Sequence, residues 1–342
     1  MVKAKKMKTA TESKPARESV AADMRVAIML AGEANPAPLR TALDAPTLCL
    51  PLAWDCTLLA CWQEACAQIG VQELRIVVQD EGDVRPIEYA LQMCDHSKVR
   101  VASTQIIVEP DSIRDSTETV GRLTEDLGPE EFFLVINAHC LPPVSMSPIL
   151  SATGNAILGV IGVDHKNDPS GIVAFRRSSF DSEQHKGILD ITEPNLEVMS
   201  ENDDKFVIVV LDKKTRRLID RASYLDAVQG HQKHAKGELP EYCRDTSVFI
   251  SDTASIEGAC VIEPGVVIED DAIIYDSVVM AGATICCGAV VTRSVIGRHA
   301  LIERDAKILR MIEPADQYLR GGRDKGRDRG RNRGQDGWRK SA

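Results

Sequence analysis

The chain has 342 residues, of which 44% are hydrophobic and 27% are charged, and its formal net charge at pH 7 is −10. This length can supply the cores of two ordinary domains, and the sequence contains no apolar run of the roughly 18 residues that a membrane-spanning helix requires. The basic N-terminal segment also lacks the hydrophobic stretch of a secretory signal. We therefore expect a soluble, cytoplasmic protein with no membrane association.

Charge is distributed unevenly along the chain. Residues 1–20 carry a net charge of +4 and residues 320–342 a net charge of +6, so the chain between them carries −20. Both ends have too few apolar residues to fold alone, and we predict disorder for residues 1–23 and 320–342. The Arg/Gly-rich C-terminal tail is either a solvated segment or a contact for RNA or another polyanion.

Apolar runs typical of buried strands recur between residues 24 and 164. In chain order they are 24–30, 73–79, 103–109, 131–137 and 155–164. Two helical patterns separate them, one capped by Asp55 and running to Ile69, the other over 115–127. Strands that alternate with helices predict a doubly wound, mostly parallel sheet, with ligands at the carboxyl ends of its strands. We expect this α/β domain over residues 24–235.

The ten cysteines give no strong signal of a metal or redox site. The sequence contains no CxxC pair, which argues against zinc-binding and thioredoxin-like motifs. Cys56, Cys61 and Cys66 are five residues apart, a spacing that would distribute them around a helix rather than along one face. We expect reduced, mostly buried thiols.

From residue 250 onward, an aliphatic residue recurs every six positions, with two slips of one residue. The eleven positions are Ile250, Ile256, Ile262, Ile268, Ile274, Val279, Ile285, Val291, Ile296, Ile302 and Ile308. Period six is neither the helical period nor simple strand alternation, and it is typical of the hexapeptide repeats of a parallel β-helix. We therefore predict a β-helix over 246–312, with these side chains stacked inside nearly four three-sided coils.

Several segments occur in an order that one enzyme family shares. They are LAG at 30–32, PTLCLP at 46–51, FFLVINAH at 132–139, SGIVAFRRSSFD at 170–181 and IDRASYLDA at 219–227, all before the repeat. In this order the chain resembles the sugar-1-phosphate nucleotidyltransferases of the mannose-1-phosphate guanylyl and glucose-1-phosphate adenylyl or thymidylyl type. The resemblance implies a nucleotide-diphospho-sugar transferase-like α/β domain followed by a β-helix that is left-handed.

The resemblance also implies where a nucleotide would bind. The family's glycine-rich loop begins at Leu30, Ala31 and Gly32, and its lysine position corresponds to Thr47. Glu33 stands where the family has a second glycine, and its carboxylate would repel a triphosphate. These five residues are the candidate nucleotide-binding set, and they lack the cations that neutralise a triphosphate during nucleotidyl transfer.

The metal position of the family is also altered. Its Gly-Asp ligand corresponds to Ala138-His139, and its second acidic ligand falls near Arg217. Mg²⁺ requires hard oxygen ligands, which imidazole and guanidinium do not provide. We therefore expect no metal here, unless a rearranged site uses Mg²⁺. The candidates for catalysis in such a site are Arg40, Asp44 and His139.

Three functions follow from this pattern. The favoured one is a homologue without the standard catalysis, which binds a phosphate, nucleotide or nucleotide sugar, or acts as a regulator or scaffold. The alternative is an active pyrophosphorylase that makes a nucleotide sugar and pyrophosphate at a rearranged site. The third is an RNA-associated protein that acts through its basic ends. We also expect a homo-oligomer through the β-helix, with an apolar face near Val278–Met280.

Two histidines have alternative interpretations. His299 falls at a predicted β-helix turn, where the hexapeptide acyltransferases use a histidine, but a single histidine without a partner is more typical of a solvated turn. His139 follows a predicted strand at the ligand-binding edge, where it is either a partly buried structural residue or a ligand contact.

Overall fold

The chain folds into an α/β unit and a parallel β-helix. The computed structural model describes residues 24–32, 37–54, 56–93, 99–109, 116–181, 206–212, 214, 216–232 and 247–315. The predicted disorder of both ends, the boundary near residue 240 and the candidate Glu33 lie outside these ranges. None of the described helices is long and apolar enough to cross a membrane.

The α/β unit is built on a seven-stranded sheet and a small hairpin. In chain order its strands are β1 (Val26–Leu30), β2 (Pro51–Ala53), β3 (Cys56–Thr57), β4 (Glu73–Val78), β5 (Ser103–Val108), β6 (Phe132–Asn137), β7 (Gly159–Asp164), β8 (Pro169–Arg176) and β9 (Phe206–Asp212). The sheet order is β5-β4-β1-β6-β8-β7-β9, with β2 and β3 forming the hairpin. All pairings within the large sheet are parallel except those of β8. The predicted mostly parallel α/β sheet is therefore confirmed.

Strands β8 and β9 were not among the five predicted strands. β8 runs antiparallel to β7 because only four residues, 165–168, connect them, too few for the crossover that a parallel pair needs. The short turn is closed by Asp164, whose Oδ1 accepts hydrogen bonds from the backbone N–H groups of Lys166 at 2.7 Å and Asp168 at 3.0 Å. β9 lies at the sheet edge beside β7.

Within the described residues, six helices accompany the sheet. They are α1 (Pro38–Leu43), α2 (Leu58–Gln68), α3 (Val84–Met93), α4 (Ser116–Arg122), α5 (Ser147–Thr153) and α6 (Arg221–Gln232). The predicted cap at Asp55, itself outside the described residues, was wrong, because Thr57 caps α2 by accepting a hydrogen bond from Ala60 N–H at 3.2 Å. The predicted helix over 115–127 ends early, at Arg122. Thr124 follows it, and its hydroxyl bonds back to the Val120 carbonyl, a local bond that competes with helix continuation.

The β-helix consists of three parallel sheets of four short strands each. Its strands are β10 (Phe249–Ile250), β11 (Ser255–Glu257), β12 (Val261–Ile262), β13 (Val267–Ile268), β14 (Ile273–Tyr275), β15 (Val278–Val279), β16 (Thr284–Ile285), β17 (Val290–Thr292), β18 (Val295–Ile296), β19 (Leu301–Ile302), β20 (Lys307–Leu309) and β21 (Ile312–Glu313). Every third strand joins the same sheet, beginning with β10, β11 or β12. The predicted aliphatic positions all belong to the interior cluster. The predicted parallel coils are confirmed, while their left hand stays a prediction.

The two slips in the repeat shorten the coils. Ile250 pairs with Ile268, eighteen residues on, whereas Ile262 pairs with Val279, only seventeen residues on. The short corner is built from buried serines, and the Ser277 hydroxyl accepts a hydrogen bond at 3.0 Å from the backbone N–H of its counterpart in the next coil. One residue per coil is therefore lost at the same corner, which keeps the three sheets aligned.

One side of the β-helix packs against the α/β unit. Val261, Val278 and Val295, from neighbouring strands of one sheet, belong to the same hydrophobic core as Tyr224 of α6. Met280 is also buried in this core. The prediction of an open apolar face near Val278–Met280 was therefore wrong, because the chain covers that face with its own first domain. Homo-oligomerisation stays a prediction.

Candidate functional site

The carboxyl ends of β1, β4 and β6 meet at one edge of the large sheet, where the sequence predicts a ligand. Leu30 ends β1, and its carbonyl accepts a hydrogen bond from Ala138 N–H at 3.1 Å. The next residue, Ala31, donates its N–H to the Val77 carbonyl at 2.8 Å. The first residues of the predicted nucleotide loop are therefore held rigidly between two neighbouring strands.

Gly32 packs closely against a neighbouring side chain in this structure. A Cβ atom at this position would lie only 2.5 Å from the Cγ atom of Gln79, a residue that directly follows β4. An alanine would therefore collide with the side chain unless that side chain moved away. The sequence explains Gly32 as part of a phosphate loop, and the close contact with Gln79 is a second physical reason that favours a glycine here.

Arg40, a candidate catalytic cation, is paired with an acidic residue. Its Nη2 atom lies 2.6 Å from Oδ2 of Asp83, and both side chains are largely buried. Asp83 ends a 3-10 turn over Glu81–Asp83, between β4 and α3. The pair joins the segment after β1 to the segment after β4. The Asp83 carboxylate also neutralises the Arg40 guanidinium, whose positive charge would otherwise be available to balance the charge of a triphosphate.

Asp44, the candidate acid, follows α1 in a left-handed conformation with φ of 48°. Aspartate tolerates this region better than most residues other than glycine. Its side chain is exposed. The backbone conformation and the exposure of the side chain therefore account for an aspartate at the end of a helix, without a catalytic role.

Thr47 and His139 are in direct contact. The Oγ1 atom of Thr47 lies 3.1 Å from Nδ1 of His139, and both residues are buried. The backbone N–H of His139 also donates to Oδ1 of Asn137 at 2.9 Å, in a tight turn that follows β6. The residues at the family's lysine and Gly-Asp positions thus touch each other across 92 positions of sequence.

Arg217 lies beside the same turn. Leu218 N–H donates to the His139 carbonyl at 2.8 Å, and Arg217 pairs antiparallel with Cys140 in an isolated bridge. Burial raises the pKa of the Cys140 thiol to about 11, and the neighbouring Arg217 guanidinium opposes part of that rise. Trp62 of α2 also holds this turn, because its indole N–H donates to the Cys140 carbonyl at 2.8 Å.

The two positions that correspond to the family's metal ligands do not fit Mg²⁺. The two positions that would supply its ligands carry His139 and Arg217, an imidazole and a cation rather than carboxylates. The carboxylate of Asp83, which follows β4, is paired with Arg40. Within the described ranges, the group of three residues with metal-ligand geometry is Cys56, Cys61 and His231, a different set of residues.

The segment between β7 and β8 is also short. Ser170 Oγ donates to the Gly162 carbonyl at 2.7 Å across the hairpin, so the chain passes directly from one strand to the next. In the family that the sequence resembles, the segment at this place supplies contacts to the sugar. The four-residue turn has no additional segment that contacts a sugar.

Sequence reasoning missed two residues that shape this edge. Gln79 and Asp83 both follow β4, at the carboxyl end of a predicted strand, where the doubly wound fold places its ligands. The acidic run after that strand was the available signal. Its pairing with Arg40, 43 positions earlier, was not readable from the sequence.

His299 lies in a β-helix turn, with φ of 56°. Its ring packs directly against Gly282 of the preceding coil, and a Cβ atom on that glycine would overlap the ring. This contact favours a structural turn residue over an acyltransferase histidine.

Comparison with known protein families relates the C-terminal part of the chain to one of them. Residues 239–312 match the family model of the GMPPB C-terminal domain, a range that includes most of the β-helix. No curated protein matches the chain. The family match supports a relationship to the mannose-1-phosphate guanylyltransferase-like proteins, carried by the C-terminal domain.

Proposed function

We propose that this protein is a sugar-1-phosphate nucleotidyltransferase homologue that has lost the standard reaction and binds a nucleotide or nucleotide sugar without Mg²⁺. The contact between Thr47 and His139 carries the proposal. In the related enzymes these positions hold a lysine and an acidic residue, and here a neutral threonine touches an imidazole at 3.1 Å. A Mg²⁺-triphosphate has neither a metal ligand nor a balancing cation at these two positions.

The arginine side chains at this edge favour an anion over a metal. Arg217 is half-buried beside Cys140, and Arg216 precedes it at the surface. A guanidinium group binds phosphate through paired hydrogen bonds. The phosphates of a nucleotide sugar are therefore the expected ligand, and the lack of a metal requirement distinguishes this mode from the enzymatic one.

The alternative is an active enzyme with a rearranged site built from Arg40, Asp44 and His139. The ion pair between Arg40 and Asp83 speaks against it, because a paired cation stabilises a developing phosphate charge less well. We therefore expect the protein to act as a regulator or scaffold that recognises the ligand of its catalytic relatives.

Two measurements test the proposal. Pyrophosphate release is followed with four nucleoside triphosphates and with mannose-1-phosphate or glucose-1-phosphate, in the presence of Mg²⁺. We expect turnover at least a thousandfold below an ordinary enzyme's roughly 10 s⁻¹. Turnover within tenfold of that value would contradict the loss of catalysis and favour the rearranged site.

The second measurement is a calorimetric binding screen of nucleotides and nucleotide sugars, with Mg²⁺ or with EDTA. We expect at least one ligand whose affinity is the same in both, and Arg217→Met should weaken it about tenfold or more, the equivalent of about 1.4 kcal/mol. Arg122→Met, which removes an exposed arginine from α4, is the matched control. Binding that requires Mg²⁺, or that survives in Arg217→Met, would contradict the proposed mode.

Partners beyond small molecules stay proposals. The two β-helix sheets that do not carry the domain contact expose apolar side chains such as Phe249 and Leu301 on one and Tyr275 on the other. A homo-oligomer would use these sheets, and light scattering at micromolar concentration tests it. RNA binding through residues 320–342 would be salt-sensitive and lost when the tail is removed.

A further inference from the structure

Two cysteines that the sequence separates are adjacent in the structure. The Sγ atoms of Cys56 and Cys61 lie 3.3 Å apart. Cys61 is in the first turn of α2, whereas Cys56 lies in β3, before the Thr57 cap. Because Cys56 is outside the helix, the helical spacing that would separate the two thiols does not apply, and its side chain meets the first helical turn.

A histidine from a distant helix completes the group. His231 is the penultimate residue of α6. One ligand atom from each of Cys56, Cys61 and His231 lies within 4.8 Å of the other two. The cysteines are half-buried and the histidine is exposed. The group therefore has a protected side formed by sulfur and an open side that faces solvent.

We propose that Cys56, Cys61 and His231 bind a zinc-class metal ion, with a solvent molecule as the fourth ligand. Zn²⁺ takes thiolate at about 2.3 Å and imidazole at about 2.0–2.1 Å in a tetrahedron, so the ligand atoms sit roughly 3.5–3.8 Å apart. The two sulfurs must separate by about 0.5 Å to reach this geometry. As each sulfur bonds to the ion, its thiol proton passes to solvent.

The histidine distinguishes this site from a redox pair. A dithiol that cycles with a disulfide needs only two sulfurs and access to an exchange partner. A third ligand of borderline softness, close to both sulfurs, matches the preference of Zn²⁺ for mixed sulfur and nitrogen donors. The three ligand residues, taken from the described part of the chain, also include no carboxylate of the kind that Mg²⁺ and Ca²⁺ prefer.

The position of the group indicates what the ion would do. It joins the β2–β3 hairpin and the start of α2 to the end of α6. The same helix already donates from Tyr224 Oη to the Pro51 carbonyl of the hairpin at 2.7 Å, and from Gln232 Nε2 to the Cys260 carbonyl of the β-helix at 2.8 Å. An ion here would therefore clamp the last helix of the α/β unit at its contact with the β-helix.

Cobalt provides a direct spectroscopic test. The full-length protein is prepared under reducing conditions, freed of metal and titrated with Co²⁺, which reports thiolate ligands through sulfur-to-metal charge-transfer absorption and tetrahedral geometry through its visible bands. We expect one equivalent to give both signals and Zn²⁺ to displace it. Cys56→Ser and Cys61→Ser should lose the charge-transfer band, and His231→Ala should weaken binding at least about tenfold, since even outer ligand partners contribute 10- to 100-fold.

Controls separate the site from the other thiols and from unfolding. Cys287→Ser, which alters a β-helix thiol, should bind Co²⁺ like the unmodified protein. Circular dichroism of each variant checks that it is folded, and Zn²⁺ should raise the melting temperature of the unmodified protein but not of Cys56→Ser. Retained binding in both cysteine variants would overturn the proposal. Formation of a disulfide in the presence of Zn²⁺ would also overturn it. That result would appear as a count of free thiols that falls by two on air oxidation with one equivalent of Zn²⁺ present, and that does not fall in Cys56→Ser.

Discussion

The interior of the β-helix provides a sharp test of the structure, because neighbouring residues of one strand face opposite sides. In β14, Ile274 is fully buried in the column of aliphatic side chains, between Ile256 and Val291 of the adjacent coils, whereas Ile273 is 44% exposed. We expect Ile274→Asp to unfold the β-helix and Ile273→Asp to be tolerated. The two variants have the same composition and the same net charge, so only the direction of the side chain differs.

The size of the effect follows from burial. Removing a buried isoleucine side chain costs about 1.5–3 kcal/mol of transfer free energy. An aspartate among aliphatic side chains is expected to be neutral, and protonating a carboxyl of pKa about 3.9 at pH 7 costs about 4 kcal/mol, at 1.36 kcal/mol per pH unit. The total for Ile274→Asp, about 6 kcal/mol, is comparable with the whole stability of a typical domain. Ile274→Val, which removes one methylene, should cost only about 1 kcal/mol.

The assay is urea unfolding followed by circular dichroism, together with hydrogen exchange of peptides from 249–313. Ile274→Asp should lose protection across this region, while Ile273→Asp and Ile274→Val should keep it. Equal destabilisation by the two aspartate variants would show that the alternation of buried and exposed side chains in β14 is incorrect. It would also refute the assignment of the six-residue repeat to the interior.

Three further predictions concern single contacts. Tyr224→Phe leaves the buried Pro51 carbonyl without its hydrogen bond and should lower the free energy of unfolding by about 1–3 kcal/mol, measured in urea; no change would mean that the hydroxyl is dispensable at the domain contact. The Arg75 guanidinium holds the pKa of Asp126 below its usual value, so Asp126 adds stability above pH ~4 that is lost as the pH falls through its folded-state pKa. Because Asp126 is half-exposed, Asp126→Asn should lower the free energy of unfolding by under about 1 kcal/mol at pH 7 and not at all at low pH. A loss of stability that is the same at every pH would contradict the ion pair. Gly282→Ala, which forces a side chain into a left-handed conformation with φ of 71°, should cost at least ~1–2 kcal/mol in thermal unfolding, and a neutral effect would contradict the turn geometry.

The β-helix could be predicted from sequence because its determinants are local and repeated. The six-residue spacing that begins at Ile250 places one inward-facing aliphatic side chain on each of the three sides of a coil, whatever the rest of the chain does. Even the two slips were visible as missing residues. The main strands of the sheet were visible for the same reason, since runs such as residues 132–136 are continuously apolar and are buried on both faces.

The loss of the family's site was also readable in part. Thr47, His139 and Arg217 are not the residues that nucleotidyl transfer uses, and this follows from their chemistry alone. The sequence did not determine that Thr47 and His139 touch each other. That contact depends on how the segment after α1 crosses the end of β6.

Contacts between distant segments were decided by the tertiary structure alone. The apolar sequence around Val278–Met280 predicts burial, but an oligomer and a second domain of the same chain would bury it equally well. Likewise, the five-residue spacing of Cys56 and Cys61 argued against a shared site if both residues were helical. In the structure the helix is capped by Thr57 rather than Asp55, so Cys56 lies outside it and its thiol reaches that of Cys61. The physical reason is common to both cases. Periodicity reports which face of an element is apolar or which residues share a turn, whereas the partner of that face depends on packing between segments that are far apart in sequence.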